Sequence, residues 1–421
     1  MATSAAPAGA GGLKRHLGVF DAVVIGLGSM IGAGVFAAPA PAAAAAGSGL
    51  LPGLAVAALV AYCNATASAR LAARYPASGG TYVYGRERLG EFWGYLAGWA
   101  FVVGKTASCA AMALTVGSYV WPDQAHAVAV AAVLGLTAVN YAGVQKSARL
   151  TRAIVAVVLA VLAAVVTACL SGGTAAAARL DVGADATVGG VLEAAALLFF
   201  AFAGYARIAT LGEEVRDPGR TIPRAIQLAL GIALLVYAGV AMAVLAVLGP
   251  DRLAHSTAPL SDAVRAAGVP GLAPVVRAGA AVAALGSLLA LILGVSRTTL
   301  AMARDRHLPP ALAAVHPRFQ VPYRAELAVG AVVAVLAATV DVRGAIGFSS
   351  FGVLAYYAIA NASAWTLSPA EGRPPRALPA IGLAGCLALA FALPLPSVLW
   401  GAAVLVLGAA VHGLRRAVRA A

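Results

Sequence analysis

FDAVVIGLGSMIGAGVFAAP, residues 20–39, is apolar enough to lie in a bilayer, yet it carries glycine at Gly26, Gly28, Gly32 and Gly34. Each glycine weakens a helix interior by roughly 1 kcal/mol relative to alanine. The stretch therefore predicts a helix interrupted near its middle. Backbone groups freed at membrane depth are tolerated only where protein buries them or a cavity satisfies them, so such a break points to a binding site. Gly28-x-x-x-Gly32 is also a small-residue contact motif for close helix packing. On this stretch alone both readings stay open.

Composition sets the broad class. The 421 residues are 62% hydrophobic and only 11% charged, with a mean hydropathy of +0.90. That leaves too little polar surface for a soluble globule, so the chain reads as an all-α polytopic membrane protein. The net charge of +13 comes from short Lys and Arg clusters between apolar runs, not from a basic face on a soluble domain. Nucleic acid is accordingly not expected as a partner. Cys63, Cys109, Cys169 and Cys386 all fall inside apolar runs without paired spacing, which fits packing and neither a disulfide framework nor a zinc site. No metal or other cofactor is implied.

Residues 1–16 form a small-residue tail without the apolar core of a signal peptide. Apolar runs long enough to cross a core of about 30 Å follow near 17–46, 50–72, 93–121, 124–143, 150–171, 188–212, 222–249, 274–302, 325–341, 344–367, 377–393 and 395–413. About twelve spans are expected. Placing the N-terminus inside puts most basic residues in cytoplasmic loops, among them Lys14, Arg15, Arg86, Arg88, Arg216, Arg304 and Arg415. The expected protein is an integral protein of the plasma (inner) membrane with both termini cytoplasmic. It divides into a tail (1–16), a first set of five spans (17–171), a second set (188–367), two peripheral spans (377–413) and a C-terminal tail (414–421).

Five spans is an odd number, so a second set repeating the first would run through the membrane in the opposite direction. The sixth span should then carry a break of its own. It is continuously apolar up to Ala203, and then Gly204 and Tyr205 lead into a more polar continuation ending at Glu213 and Glu214. Interrupted helices in matching positions of two halves are the best sequence pointer to a transporter site.

At these residues the chain resembles the amino acid–polyamine–organocation permeases. The resemblance rests on GLGSMIGAGVF at 26–36, PASGGTYVYGRERLG at 76–90, FFAFAGYARIATLGEEVRDPGRTIPRAI at 199–226 and SRTTLAMARDRHLP at 296–309. It implies a LeuT-like core of two inverted five-span repeats with broken helices 1 and 6. It also implies two peripheral spans and secondary-active transport of an amino acid or related amine by alternating access. The substrate and the oligomeric state are left undetermined.

An amino acid's carboxylate needs donors, and the N–H groups opening the half-helix near Ala33 can supply them, together with the positive end of its dipole. The resemblance points here to Ser29, Met30, Ile31, Gly32, Ala33 and Gly34. The ammonium needs acceptors, available from the carbonyls that end the outer half of span 6, from about Phe199 through Phe202 and Ala203 to Gly204. Phe202 and Tyr205 are candidates for closing over the substrate, with ordinary aromatic packing as the alternative. Glu213 and Glu214 fall near the level of Arg297 and Arg304, where an ion pair could hold an inner gate shut, although exposed pairs contribute only about 0–1 kcal/mol.

Lys105 lies about twelve residues into span 3, roughly 18 Å deep at 1.5 Å per residue. A lysine at that depth faces a cavity or partner by default and can carry a coupling proton. A long tilted span with a snorkelling lysine is the alternative. Arg207, just inside the second break, suits a snorkelling or salt-bridged structural role. Some proton-linked permeases of the resembled type place a lysine in span 5. The matching position here is Val158, so either Lys105 replaces that lysine or the protein is an amino acid or amine exchanger, a uniporter or a polyamine transporter without ion coupling. Sodium needs oxygen ligands, and Ser287 in span 8 is one candidate, but no acidic residue in the core of spans 1 or 8 supports it, so protons are favoured over sodium.

Other classes fit the residues less well. Gly104-Lys105-Thr106 has Trp99 where a phosphate-binding loop needs glycine, which disfavours an ATP-driven pump. All six histidines fall at or beyond span ends, leaving no catalytic or metal set at depth, and no enzyme is expected. No filter-like loop is repeated as in an ion channel.

Overall fold

The structure is a computed structural model that describes residues 17–76, 79–143, 148–212 and 214–420. The expected tail 1–16 and the inner-gate candidate Glu213 lie outside the described residues. The described elements are helical, in the order α1 (Val19–Met30), α2 (Ala33–Ala37), α3 (Pro39–Ala46), α4 (Leu50–Arg74), α5 (Thr81–Leu89), α6 (Glu91–Val120), α7 (Ala125–Tyr141), α8 (Ala148–Ser171) and α9 (Val188–Phe202). They continue with α10 (Ala206–Ala209), α11 (Pro218–Ala254), α12 (Pro259–Ala266), α13 (Ala273–Arg304), α14 (Tyr323–Thr339), α15 (Val342–Trp365), α16 (Ala377–Ala392) and α17 (Leu395–Ala420).

Among the described residues, 10 helical segments are long and apolar enough to cross a membrane. Two of the twelve expected spans fall short of that measure: α14 has 17 residues and α16 has 16, about 25 Å each at 1.5 Å per residue. Exposed large side chains such as Leu235, Val335, Phe391 and Trp400 give the bundle an apolar outer surface, while alanine and glycine fill its helix contacts.

Span 1 is broken after Met30. Ile31 still donates its N–H to the Leu27 carbonyl at 2.7 Å, but its ψ of 58° leaves the helix, and helical geometry resumes only at Ala33. Beyond the break, α2 and α3 run on as one segment. Ala38 keeps helical angles, donates to the Gly34 carbonyl at 2.9 Å and accepts from the Ala42 N–H at 3.2 Å. Span 6 is interrupted in the corresponding place: α9 ends at Phe202, Ala203–Tyr205 form one tighter turn, and the short α10 follows.

Local signals set the helix starts. Thr187 and Asp341 cap α9 and α15 by accepting the N–H groups of Gly190 (3.0 Å) and Gly344 (2.9 Å), which satisfies donors that a helix N-terminus leaves free. Proline opens α11 and α12, where its missing N–H costs nothing. Polar side chains then tie helices together: Asn361 donates to Asn64 at 2.6 Å, the Ser108 and Ser349 hydroxyls lie 2.5 Å apart, and Asn140 donates to the Leu289 carbonyl at 3.1 Å. Interhelical hydrogen bonds and small residues are the usual means of packing helices where lipid supplies no hydrophobic drive.

Candidate functional site

The two interruptions meet in the middle of the bundle. A β-carbon at Gly204 would lie 2.6 Å from the Met30 nitrogen, and one at Gly34 would lie 2.6 Å from the α-carbon of Ala201. Only glycine allows backbones so close. The carbonyls released at the breaks are taken up by side chains from other helices. Tyr237 on α11 reaches both Met30 O (2.6 Å) and Ala201 O (2.9 Å), and Ser287 on α13 donates to Gly28 O at 3.1 Å. Ala203 O accepts from Lys105 Nζ at 3.3 Å and from the Tyr357 hydroxyl at 3.4 Å.

From this crossing a cavity of about 410 Å³ runs to one end of the bundle, a size within the ordinary range for small-ligand pockets. Ser29, Lys105, Ala203, Gly204 and Ser287 form its deep end, Arg207, Thr210, Glu214 and Arg297 its middle, and Tyr82, Arg86 and Asp305 its mouth. The mouth lies beside α5, where α13 ends. There Tyr82 donates to Asp305 and lies 3.0 Å from His307 Nδ1, and Arg86 pairs with Asp305 at 3.4 Å. Burial, with the hydrogen-bonded Asp305 carboxylate beside it, pushes the Tyr82 phenol up.

Toward the opposite end, side-chain contacts close the way between the crossing and a separate hollow beside Tyr119. Tyr119 donates to the Phe36 carbonyl at 3.0 Å and accepts from the Leu260 N–H at 3.4 Å, while Arg277 Nε holds the Tyr119 carbonyl at 2.6 Å. Asp185 accepts from the Ser48 N–H (2.8 Å) and hydroxyl (2.6 Å), fastening the chain that follows α8 to the turn between α3 and α4. At the end where the cavity opens, Leu17 and Val215 form a parallel bridge, with Leu17 N–H to Glu214 O at 3.1 Å and Arg216 N–H to Leu17 O at 2.9 Å. The approach to α1 is thus stitched to the segment after α10.

Of the residues singled out from sequence, Ser29, Ala203, Gly204, Lys105, Glu214 and Arg297 line the cavity. Met30, Ile31, Gly32, Ala33 and Gly34 are buried at the crossing and do not line it. A β-carbon at Gly32 would meet the Ser287 β-carbon at 2.9 Å, so protein occupies the space over that glycine here. The expected aromatic cover over the site is absent from this conformation. Phe202 packs edge-on against Tyr237 (5.0 Å between centroids), and Phe199 and Tyr205 pack against Tyr357 (5.9 and 5.0 Å). All three are fully buried away from the cavity, because α11 and α15 present tyrosines at the same level. Glu214 and Arg297 share the cavity wall and, among the described residues, no ion pair joins them. The inner-gate pairing expected from sequence is not made where the cavity stands open.

Arg207 lines the cavity, touches Thr210 at 3.4 Å, and lies within electrostatic reach of both Glu214 and Arg297. Tyr237 and Tyr357 are participants that sequence reasoning missed. A tyrosine in the middle of an apolar span needs a partner for its hydroxyl, and that requirement was the available signal.

A profile of the amino acid permease family matches residues 21–371 of the chain. Over 404 residues, 96% of this chain and 92% of the relative, the sequence is 78% identical to an uncharacterized transporter of Mycobacterium tuberculosis. It is 27% identical to the branched-chain amino acid permease of Bacillus subtilis over 92% of this chain and 89% of that protein. It is 30% identical to cationic amino acid transporter 4 of Homo sapiens over 86% of this chain and 61% of that protein.

Proposed function

Since the chain belongs to the amino acid permease family, we propose that it is a secondary-active amino acid transporter working by alternating access, standing here with its cavity open to the cytoplasm. The observation that carries this reading is the cavity itself, which starts where two interrupted helices cross and leads to one end of the bundle while side-chain contacts close the way to the other. The mouth belongs to the arginine-rich end, and basic residues mark the cytoplasmic side. The protein then spans the plasma membrane twelve times with both termini inside, α14 and α16 crossing as short helices. Its core is two inverted repeats of five spans.

In this reading the carbonyls around Ala203, which line the cavity, receive the ammonium, and the start of α2, behind Ser287 in this conformation, receives the carboxylate once α13 moves aside. Closure of the inner end would require α1 and α10, already stitched through Leu17 and Val215, to swing toward α13. That movement brings Glu214 toward Arg297. Proton coupling runs through Lys105, which is buried at the deep end of the cavity with a neutral carbonyl as its hydrogen-bond partner.

Purified protein in proteoliposomes tests the reading. Saturable uptake that is driven by an imposed pH gradient and competed by unlabelled amino acids is expected. Single-channel currents, or uptake that does not saturate, would refute it.

A further inference from the structure

The charges facing the cavity are strongly one-sided. Lys105 sits at its deep end, and Arg207 and Arg297 follow along its wall, against Glu214 as the carboxylate among them. The second carboxylate on the lining, Asp305, is already engaged at the mouth by Arg86 and the Tyr82 hydroxyl. Glu326 acts on Arg297 from outside the lining. Lys105 is buried, and the groups around it offer it a carbonyl, not a carboxylate.

We infer that the transported amino acid carries an acidic side chain, as aspartate and glutamate do. This rests on the transport reading above and adds the substrate's charge. An α-amino acid presents one ammonium and one carboxylate, which the two helix breaks match. A second carboxylate would meet Lys105 or Arg207 in a site walled by apolar helices, where opposite charges attract far more strongly than in water. A basic side chain would instead place a second cation against Lys105 and Arg207. A neutral side chain would leave Lys105 without an anion at the moment the inner end closes and water is excluded, which is costly for buried charge. The cavity thus selects by charge before shape, and basic amino acids and polyamines are excluded.

The test is uptake of radiolabelled L-glutamate and L-aspartate into proteoliposomes of the wild-type protein, with unlabelled acidic, neutral and basic amino acids as competitors. Expected is saturable uptake competed by the two acidic amino acids, with leucine and arginine at least tenfold weaker. Lys105→Met should raise the KM for glutamate at least tenfold, and Lys105→Arg should restore most of it. The wild-type panel decides the matter even if the variants fail to fold. Saturable uptake of leucine or arginine that glutamate does not compete would overturn the charge inference and leave the transport reading intact. Absence of saturable uptake of any amino acid would overturn both.

Discussion

The hydroxyl of Tyr237 lies 2.6 Å from the carbonyl oxygen of Met30, the last residue of α1. The same hydroxyl lies 2.9 Å from Ala201 O, just before the interruption of span 6. One side chain on α11 thus serves the carbonyls of both interrupted helices. Its single proton is shared between two acceptors that the interruptions deprive of helical partners.

Tyr237→Phe removes that donor without changing the ring that packs on Phe202. Leaving buried carbonyls unsatisfied costs about 1–3 kcal/mol, so the variant should insert normally but unfold at lower temperature in detergent and transport more slowly. Unchanged melting and unchanged uptake would show that the two carbonyls find other donors.

Gly32 faces Ser287 across the crossing, its would-be β-carbon 2.9 Å from that of the serine. Gly32→Leu should therefore abolish transport by forcing α13 away. If the obstruction is steric, adding Ser287→Gly should recover part of the activity. Equal inactivity of single and double variants, measured as uptake by protein verified to be in the membrane, would return Gly32 to direct contact with the ligand.

Lys105→Ala should abolish the dependence of accumulation on the pH gradient, while exchange of internal for external substrate survives at saturating concentration. Exchange returns the loaded carrier and needs no deprotonation. Counterflow and gradient-driven uptake on the same proteoliposomes separate the two. Gradient-driven accumulation equal to that of the wild type would exclude Lys105 from coupling.

Outside the membrane, Glu371 accepts from the Ser368 N–H at 2.8 Å and pairs with Arg88 at 3.0 Å. The Ser368 hydrogen bonds, aided by Arg88, hold its carboxyl down at about 2. A carboxyl depressed in the folded state contributes stability that is present above its unfolded value, 4.5, and is lost as pH falls through about 2. Glu371→Gln should melt below the wild type at neutral pH, and the two melting curves should converge between about pH 4.5 and 2. A gap that stays constant through that window would remove the carboxylate from the account. Because the group is exposed, the effect should be small and weakened by salt.

Much of this molecule is legible along the chain because its determinants are local. Apolar runs mark the spans, and the glycine-rich run 26–34 and Gly204 in span 6 mark the neighbourhood of the breaks, although α1 runs on through Gly26 and Gly28 and stops only at Ile31 and Gly32. Lys105 is likewise visible as a cation at depth.

The partners of these features are set elsewhere in the chain. Tyr237 lies 207 residues from Met30, Ser287 lies 259 from Gly28, and Lys105 lies 98 from Ala203. No spacing rule along a helix reaches across such distances, so only the packed bundle decides which side chain meets which carbonyl. It also decides that Phe202 and Tyr205 turn toward α11 and α15 instead of the cavity, and which end of the bundle the cavity opens to. Those outcomes depend on how whole helices lean on one another, and close-packed surfaces with more than one arrangement leave that choice to the tertiary structure.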